Sequence, residues 1–156
     1  MAAFNHKVKN KQLPTPIHRV STIINRFVFC LFYIGAGVNH FWHPKGYIDL
    51  IPPYLPVHYL LNIISGILEI SGSILMMIPY TRKLSVIIII SLLIAFIPVH
   101  IYMVQMNGCI SSNFCIASWM AWARLPLQVP LIWWAWKTYK SGKINNEKKQ
   151  VNNLRS

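Results

Sequence analysis

Only 3 acidic residues occur among 156, and one of them, Glu69, sits inside the apolar run SGILEISGSILMM. A carboxylate in such surroundings must face protein, water or a partner, because exposing it to hydrocarbon is costly. The cation best placed to meet it is Arg124 in WARLPLQVPLIWWAW, again within an apolar stretch. An acid and a base held together away from water can relay a proton or hold the polar head of a lipophilic ligand. They can equally lock two helices in register without doing chemistry. The expectation is an intramembrane ion pair between Glu69 and Arg124, direct or bridged by water.

Other polar residues stand ready to join it. Asn39 and His40 close one apolar run, His100 lies near the end of another, and Asn62 and Gln128 occupy two more. Pro98, Pro126 and Pro130 each remove a backbone N–H, freeing a carbonyl four residues earlier to accept from Arg124, a histidine or water. A His40, Glu69, His100, Arg124 cluster suits a quinone head group or a proton relay. Two histidines and a carboxylate invite a metal, but the spacing is not that of any ligand set, so no metal is expected. Cys109 and Cys115 share the short loop MNGCISSNFC, where a disulfide and two free thiols are both open readings. There is no C-x-x-C pair of the thiol-oxidising kind, and Cys30 reads as a small buried hydrophobe.

The elements that carry these residues follow from composition. Hydrophobic residues make up 54% and charged ones 12% of an 18.0 kDa chain, about half the charge share of a soluble domain. A soluble fold this small keeps too much surface to hide that apolar content. Crossing a bilayer takes about 20 apolar residues, and four such runs are present, at about 20–41, 58–78, 84–104 and 117–136. The fold expected is all-α, an integral membrane four-helix bundle over residues 20–137 between basic tails at 1–19 and 138–156. Lysines precede the first run as in a signal peptide, but its length, Arg26 within it and the later runs argue that it is retained. Between the first two runs, WHPKGYIDLIPPYLPV mixes aromatic residues with Pro44, Pro52, Pro53 and Pro56, which suits a short amphipathic outer segment able to lid the bundle.

Charge sets the orientation. Lys7, Lys9, Lys11, Arg19, Arg26, Arg82, Lys83, Lys137, Lys140, Lys143, Lys148, Lys149 and Arg155 all fall on one side of a four-span topology. Lys45 alone lies in an opposite loop. The positive-inside rule then places both termini of a multi-pass membrane protein in the cytoplasm. Trp119 and Trp122 would mark the outer interface and Trp133, Trp134 and Trp136 the inner one, about 26 Å apart along a helix. The basic tails suit attraction to an anionic inner leaflet rather than to nucleic acid.

Placed at 100° intervals, Asn62, Ser65, Gly66, Glu69, Gly72 and Ser73 fall within an arc of about 120° on the second run, with Ser71 the one polar exception outside it. Small residues admit a neighbouring helix and polar ones need its company, so Glu69 is expected to look inward. On the fourth run Ala117, Ala121, Arg124, Gln128 and Ala135 share a face, and Trp119, Trp122 and Trp133 point away from it.

The succession GVNHFWHPKGYIDLIPPYLP, SGILEISGSILMMIPYTRKLS, FIPVHIYM and WARLPLQVPLIWWAW resembles the DoxX-like family of small four-span bacterial membrane proteins. The specific parts are Gly66, Glu69 and Gly72, the Pro-x-x-Arg at Pro79–Arg82, and Arg124–Gln128; His100 departs from an expected asparagine. The resemblance implies a four-helix membrane bundle with Glu69, Arg124 and Gln128 as its buried polar set. It also implies association with membrane quinone-linked oxidoreductases, as an accessory subunit beside redox partner subunits.

The leading functional expectation is therefore a redox-associated membrane subunit that binds a quinone or another lipophilic small molecule. Any electrons would come from a partner or the ligand, since no haem-binding motif is present. Two alternatives stand beside it: a non-enzymatic structural or assembly protein, and a transporter of protons or a small solute. Transport through four short helices would call for a homo-oligomer.

Overall fold

The computed structural model describes residues 16–111 and 114–153, with side chains over 20–110 and 115–141. In chain order it contains α1 (Pro16–Trp42), α2 (Pro44–Leu50), α3 (His58–Met77), α4 (Arg82–Ala95), α5 (Ile97–Gln105), a hairpin of β1 (Cys109–Ser111) and β2 (Phe114–Cys115), and α6 (Ser118–Asn153). It is an all-helical structure apart from that hairpin, as expected.

Among the described residues three helical stretches are long and apolar enough to cross a membrane: Val20–Trp42, His58–Met77 and the nearly continuous Arg82–Gln105. The fourth run is helical too, but Arg124, Gln128, Pro126 and Pro130 dilute its apolar character. Its helix also overruns the expected end at 136: the backbone stays helical through Lys137 to Asn153. No proline interrupts that polar stretch, so the chain has no reason to leave the helix there. On α1 the helix starts at Pro16, a proline at a helix start losing no hydrogen bond. The remainder of the expected amino-terminal tail, residues 1–15, lies outside the described residues, as do 154–156 of the other tail.

α1 packs on α3, α3 on α4, α4 and α5 on α6, and α6 back on α1, closing a ring of helices. The α1–α3 contact is set by two glycines. A methyl group at Gly66 would meet the Gly37 carbonyl oxygen at 3.0 Å, and one at Gly37 would meet the Gly66 carbonyl oxygen at 2.8 Å. Backbones this close leave no room for a side chain. Between α3 and α4, Ser85 Oγ donates to the Gly72 carbonyl at 2.6 Å. Between α1 and α6, Asn25 accepts from Trp134 Nε1 at 2.9 Å and donates to Thr138 Oγ1 at 2.8 Å. Gly37 meets Gly66 while His40 meets Asn62, so α3 runs antiparallel to α1. Thr138 of α6 meets Asn25 early in α1, whereas Ala121 packs with Leu50 beyond the end of α1, so α6 is antiparallel to α1 as well.

The apolar core gathers Phe29, Tyr33, Met76, Val86, Ile89, Leu93 and Ala135 at one end of the bundle. A smaller cluster of Leu50, Met103 and Ala121 closes the other end, where α2 and the hairpin pack. The outward faces carry Ile23, Phe27, Leu31, Ile67, Ile74, Ile87, Ile94 and Val129, all exposed. At the end where α6 leaves the bundle, Lys137 Nζ lies 4.6 Å from the Trp133 ring centre and Lys140 Nζ 5.3 Å from that of Trp136.

The hairpin is closed by a Cys109–Cys115 disulfide. Cys30 is free and buried. The segment between α1 and α3 is the short helix α2 followed by turns, with Leu50 and Pro52 buried.

Candidate functional site

α3 buries the face expected of it: Asn62, Gly66, Glu69, Gly72 and Ser73, joined by Met76. Opposite it, α1 presents Thr22, Arg26, Phe29, Tyr33 and His40 to the interior. Those positions repeat at intervals of three, four and seven, the spacing of one helix face.

Between the helices, towards the α2 end, lies a cavity of about 670 Å³. Six of the seven polar residues singled out from the sequence line it: His40, Asn62, Glu69, His100, Arg124 and Gln128. Asn39 does not. It is exposed, donating through Nδ2 to Tyr47 Oη at 2.8 Å. Adjacent helix residues point about 100° apart, and the rotation of α1 turns His40 inward and Asn39 outward. Asn39 instead steadies Tyr47, whose ring stacks on His40 with centres 3.9 Å apart.

One wall of the cavity is a connected set. Asn62 Nδ2 donates to the His40 carbonyl at 3.0 Å, and Asn62 Oδ1 lies 2.8 Å from His40 Nδ1. With the amide turned this way Nδ1 must carry the hydrogen, so His40 Nε2 faces the carboxyl group of Glu69, 3.6 Å from its Oε2. That oxygen has no hydrogen-bond partner, and neither does Tyr33 Oη, which is buried in α1 two turns from His40.

The facing wall comes from α5 and α6. Gln128 Nε2 donates to His100 Nδ1 at 2.8 Å, which leaves the other ring nitrogen of His100 to carry hydrogen. Arg124 is half-buried one turn away on α6 and acts electrostatically on His100. Phe96 stands between the walls, its ring centre 6.3 Å from that of His40 and 6.4 Å from that of His100. It occupies the junction where α4 ends and Pro98 begins the first turn of α5.

The expected Glu69–Arg124 ion pair is not formed. Among the described residues the ion-pair contact of Glu69 is with His40. Side chains on a helix lean toward its amino end. Glu69 and Arg124 ride on parallel helices, so both lean the same way and keep their axial offset. α1 runs against α3, so His40 and Glu69 lean toward each other. The structure puts the acid and the arginine on opposite walls of one cavity.

Tyr33 and Tyr47 are lining residues with a hydroxyl group that the sequence reading did not place among the candidate site residues. Tyr33 could have been found by drawing the first run as a helix, where it shares a face with Arg26 and His40. Tyr47 belongs to the outer segment expected to lid the bundle, and the turn at His43 and Pro44 brings it over the cavity.

The polar groups surrounding the cavity can donate and accept at two separated places, with apolar side chains such as Leu93, Val99, Met103 and Leu131 between them. That is the make-up of a small-molecule site: mostly apolar, with a few converging polar groups. No curated protein and no solved structure matches the chain. A family described as a domain of unknown function, DUF8561, matches residues 29–139, from the middle of α1 through the apolar part of α6. The match takes in every cavity-lining element, and the chain belongs to the DUF8561 family.

Proposed function

We propose that the chain is a four-span membrane protein whose interior cavity binds the polar head of a lipophilic small molecule, a quinone being the best fit. The observation that carries this reading is the pair of polar atoms without a hydrogen-bond partner, Glu69 Oε2 and Tyr33 Oη, beside a cavity of about 670 Å³ inside an apolar-surfaced bundle. Buried polar groups normally find partners, and one left without invites a ligand or water. A quinone ring carries an oxygen at each end. The His40, Glu69 and Tyr33 wall and the His100, Arg124 and Gln128 wall offer hydrogen-bonding groups on two sides of an apolar space.

The four-span topology is supported by α6, which starts at Ser118 beside exposed Trp119 and Trp122 and runs antiparallel to α1. Charge asymmetry supports cytoplasmic termini facing anionic lipid, and the DoxX-like resemblance supports a bacterial inner membrane. The DoxX-like resemblance supports a redox-associated role with partner subunits, and oligomerisation is compatible with it.

Extraction of the protein purified in mild detergent, followed by chromatography with redox-difference spectroscopy, tests the reading. A quinone should co-purify with the wild type and be lost on Glu69→Gln combined with Arg124→Gln. Extracts without quinone, together with no change in melting temperature when a quinone is added, would remove it.

A second reading is favoured by the Asn62–His40 and Ser85–Gly72 hydrogen bonds, which use interior polar groups to join helices. In that reading the chain is a structural or assembly protein. Replacing Glu69 and Arg124 together by apolar residues of similar size would then leave the function of the host membrane unchanged.

A further inference from the structure

Away from the cavity, at the end of the bundle where α3 passes into α4, two arginines lie inside the protein. Arg26 of α1 is 9% exposed, and neither its Nε nor its Nη2 has a hydrogen-bond partner. Arg82, the first residue of α4, is 6% exposed and donates from Nε to the Met76 carbonyl at 3.2 Å. The two guanidinium charges are near enough to act on each other.

The amino end of α4 adds to the excess of positive charge. Its first turn holds Arg82 and Lys83 and no acid, and its cap residue Thr81 makes no capping hydrogen bond. Thr81 Oγ1 is turned back to the Leu75 carbonyl at 2.8 Å. A helix amino terminus carries partial positive charge and free N–H groups, so cations there are unfavourable and an anion is favoured. Among the side chains that the structure describes, the carboxylates are those of Asp49 and Glu69. Asp49 is on α2 at the other end, and Glu69 lies beside the cavity.

We propose that Arg26, Arg82 and the first turn of α4 form a binding site for a phosphate group. Guanidinium forks and helix N–H groups are the donors that phosphate oxygens take best. The site is separate from the cavity and stands whether or not a quinone binds there. At a bilayer surface the phosphate would belong to an anionic phospholipid head group; the same donors would take a soluble phosphate ester.

The full chain in detergent, titrated with phosphatidylglycerol, with phosphatidylcholine and with inorganic phosphate against equal ionic strength of chloride, tests this. Lipid retention is read by native mass spectrometry and stability by melting temperature. The expected result is one retained phosphatidylglycerol, with binding weakened about tenfold or more by Arg26→Met and unaffected by Lys148→Gln with Lys149→Gln. Without phosphate or lipid, Arg26→Met should melt no lower than the wild type, because it removes a buried charge that has no partner. Inorganic phosphate raising the wild-type melting temperature, and not that of Arg26→Met, with no lipid retained, would assign the site to a soluble phosphate compound. Lys83→Gln, at an exposed position, should weaken binding about twofold and Arg26→Lys to an intermediate degree, which decides the matter if Arg26→Met does not fold. Equal binding of lipid and phosphate by the wild type and these variants overturns the site.

Discussion

Asn62 holds His40 from two directions, donating to its backbone carbonyl at 3.0 Å while bonding its Nδ1 at 2.8 Å. Both residues are buried, and this is the point at which α1 and α3 fix the rotation of the imidazole. Replacing Asn62 by Leu leaves a buried ring N–H without a partner, at a cost of about 1–3 kcal/mol. The variant should melt at a lower temperature in detergent than the wild type. An unchanged melting temperature would mean that the pair contributes nothing to the α1–α3 contact.

Glycine positions on the same two helices should respond in opposite ways. Gly66→Ala drives a methyl group to within 2.8 Å of the Phe41 ring, 2.9 Å of His40 Cβ and 3.0 Å of the Gly37 carbonyl oxygen. Overpacking of this kind costs about 1–3 kcal/mol. Gly35→Ala meets nothing within 4 Å and should be neutral or stabilising by up to about 1 kcal/mol through helix propensity. Denaturation of the two variants side by side reads the difference. Equal effects would contradict the close crossing at Gly37 and Gly66.

The partner of Glu69 can be identified by coupling. A double-mutant cycle of His40→Ala with Glu69→Gln should give an interaction of about 0.5 kcal/mol or more, as expected for residues in contact. The corresponding cycle with Arg124→Gln should give less. A larger coupling to Arg124 would show that the two walls close on each other in solution.

The disulfide closes a short loop, so the entropy model gives it about 2 kcal/mol. Replacing Cys109 and Cys115 by Ser should lower stability by that order. Peptide mass analysis before and after reduction should show a two-hydrogen gain within the segment that spans both cysteines. With Cys30 as the free thiol, alkylation of the unfolded, unreduced chain should add one label. Three labels would mean that the loop is open.

Much of the architecture was legible because helical periodicity is local. The buried face of α3, from Asn62 through Glu69 to Ser73, follows from residue order and 100° per residue alone. So do the exposed Trp122 and Trp133 and the buried Ala121, Gln128 and Ala135 of α6, whereas Trp119, expected to point away, lines the cavity. The Asn25 clasp to Trp134 and Thr138 was not legible, since it joins positions more than a hundred residues apart by contact geometry.

The residues themselves determined which side chains could not face hydrocarbon, and so that Glu69, Arg124, His40, His100, Asn62 and Gln128 would be drawn inward. Tertiary structure decided which of them meet. Helix direction and axial offset are properties of the packed bundle, and they bring Glu69 to His40 while holding Arg124 on the opposite wall. Along one helix the chain sets rotation; between helices, depth is set by where the backbones can approach, here at Gly37 and Gly66.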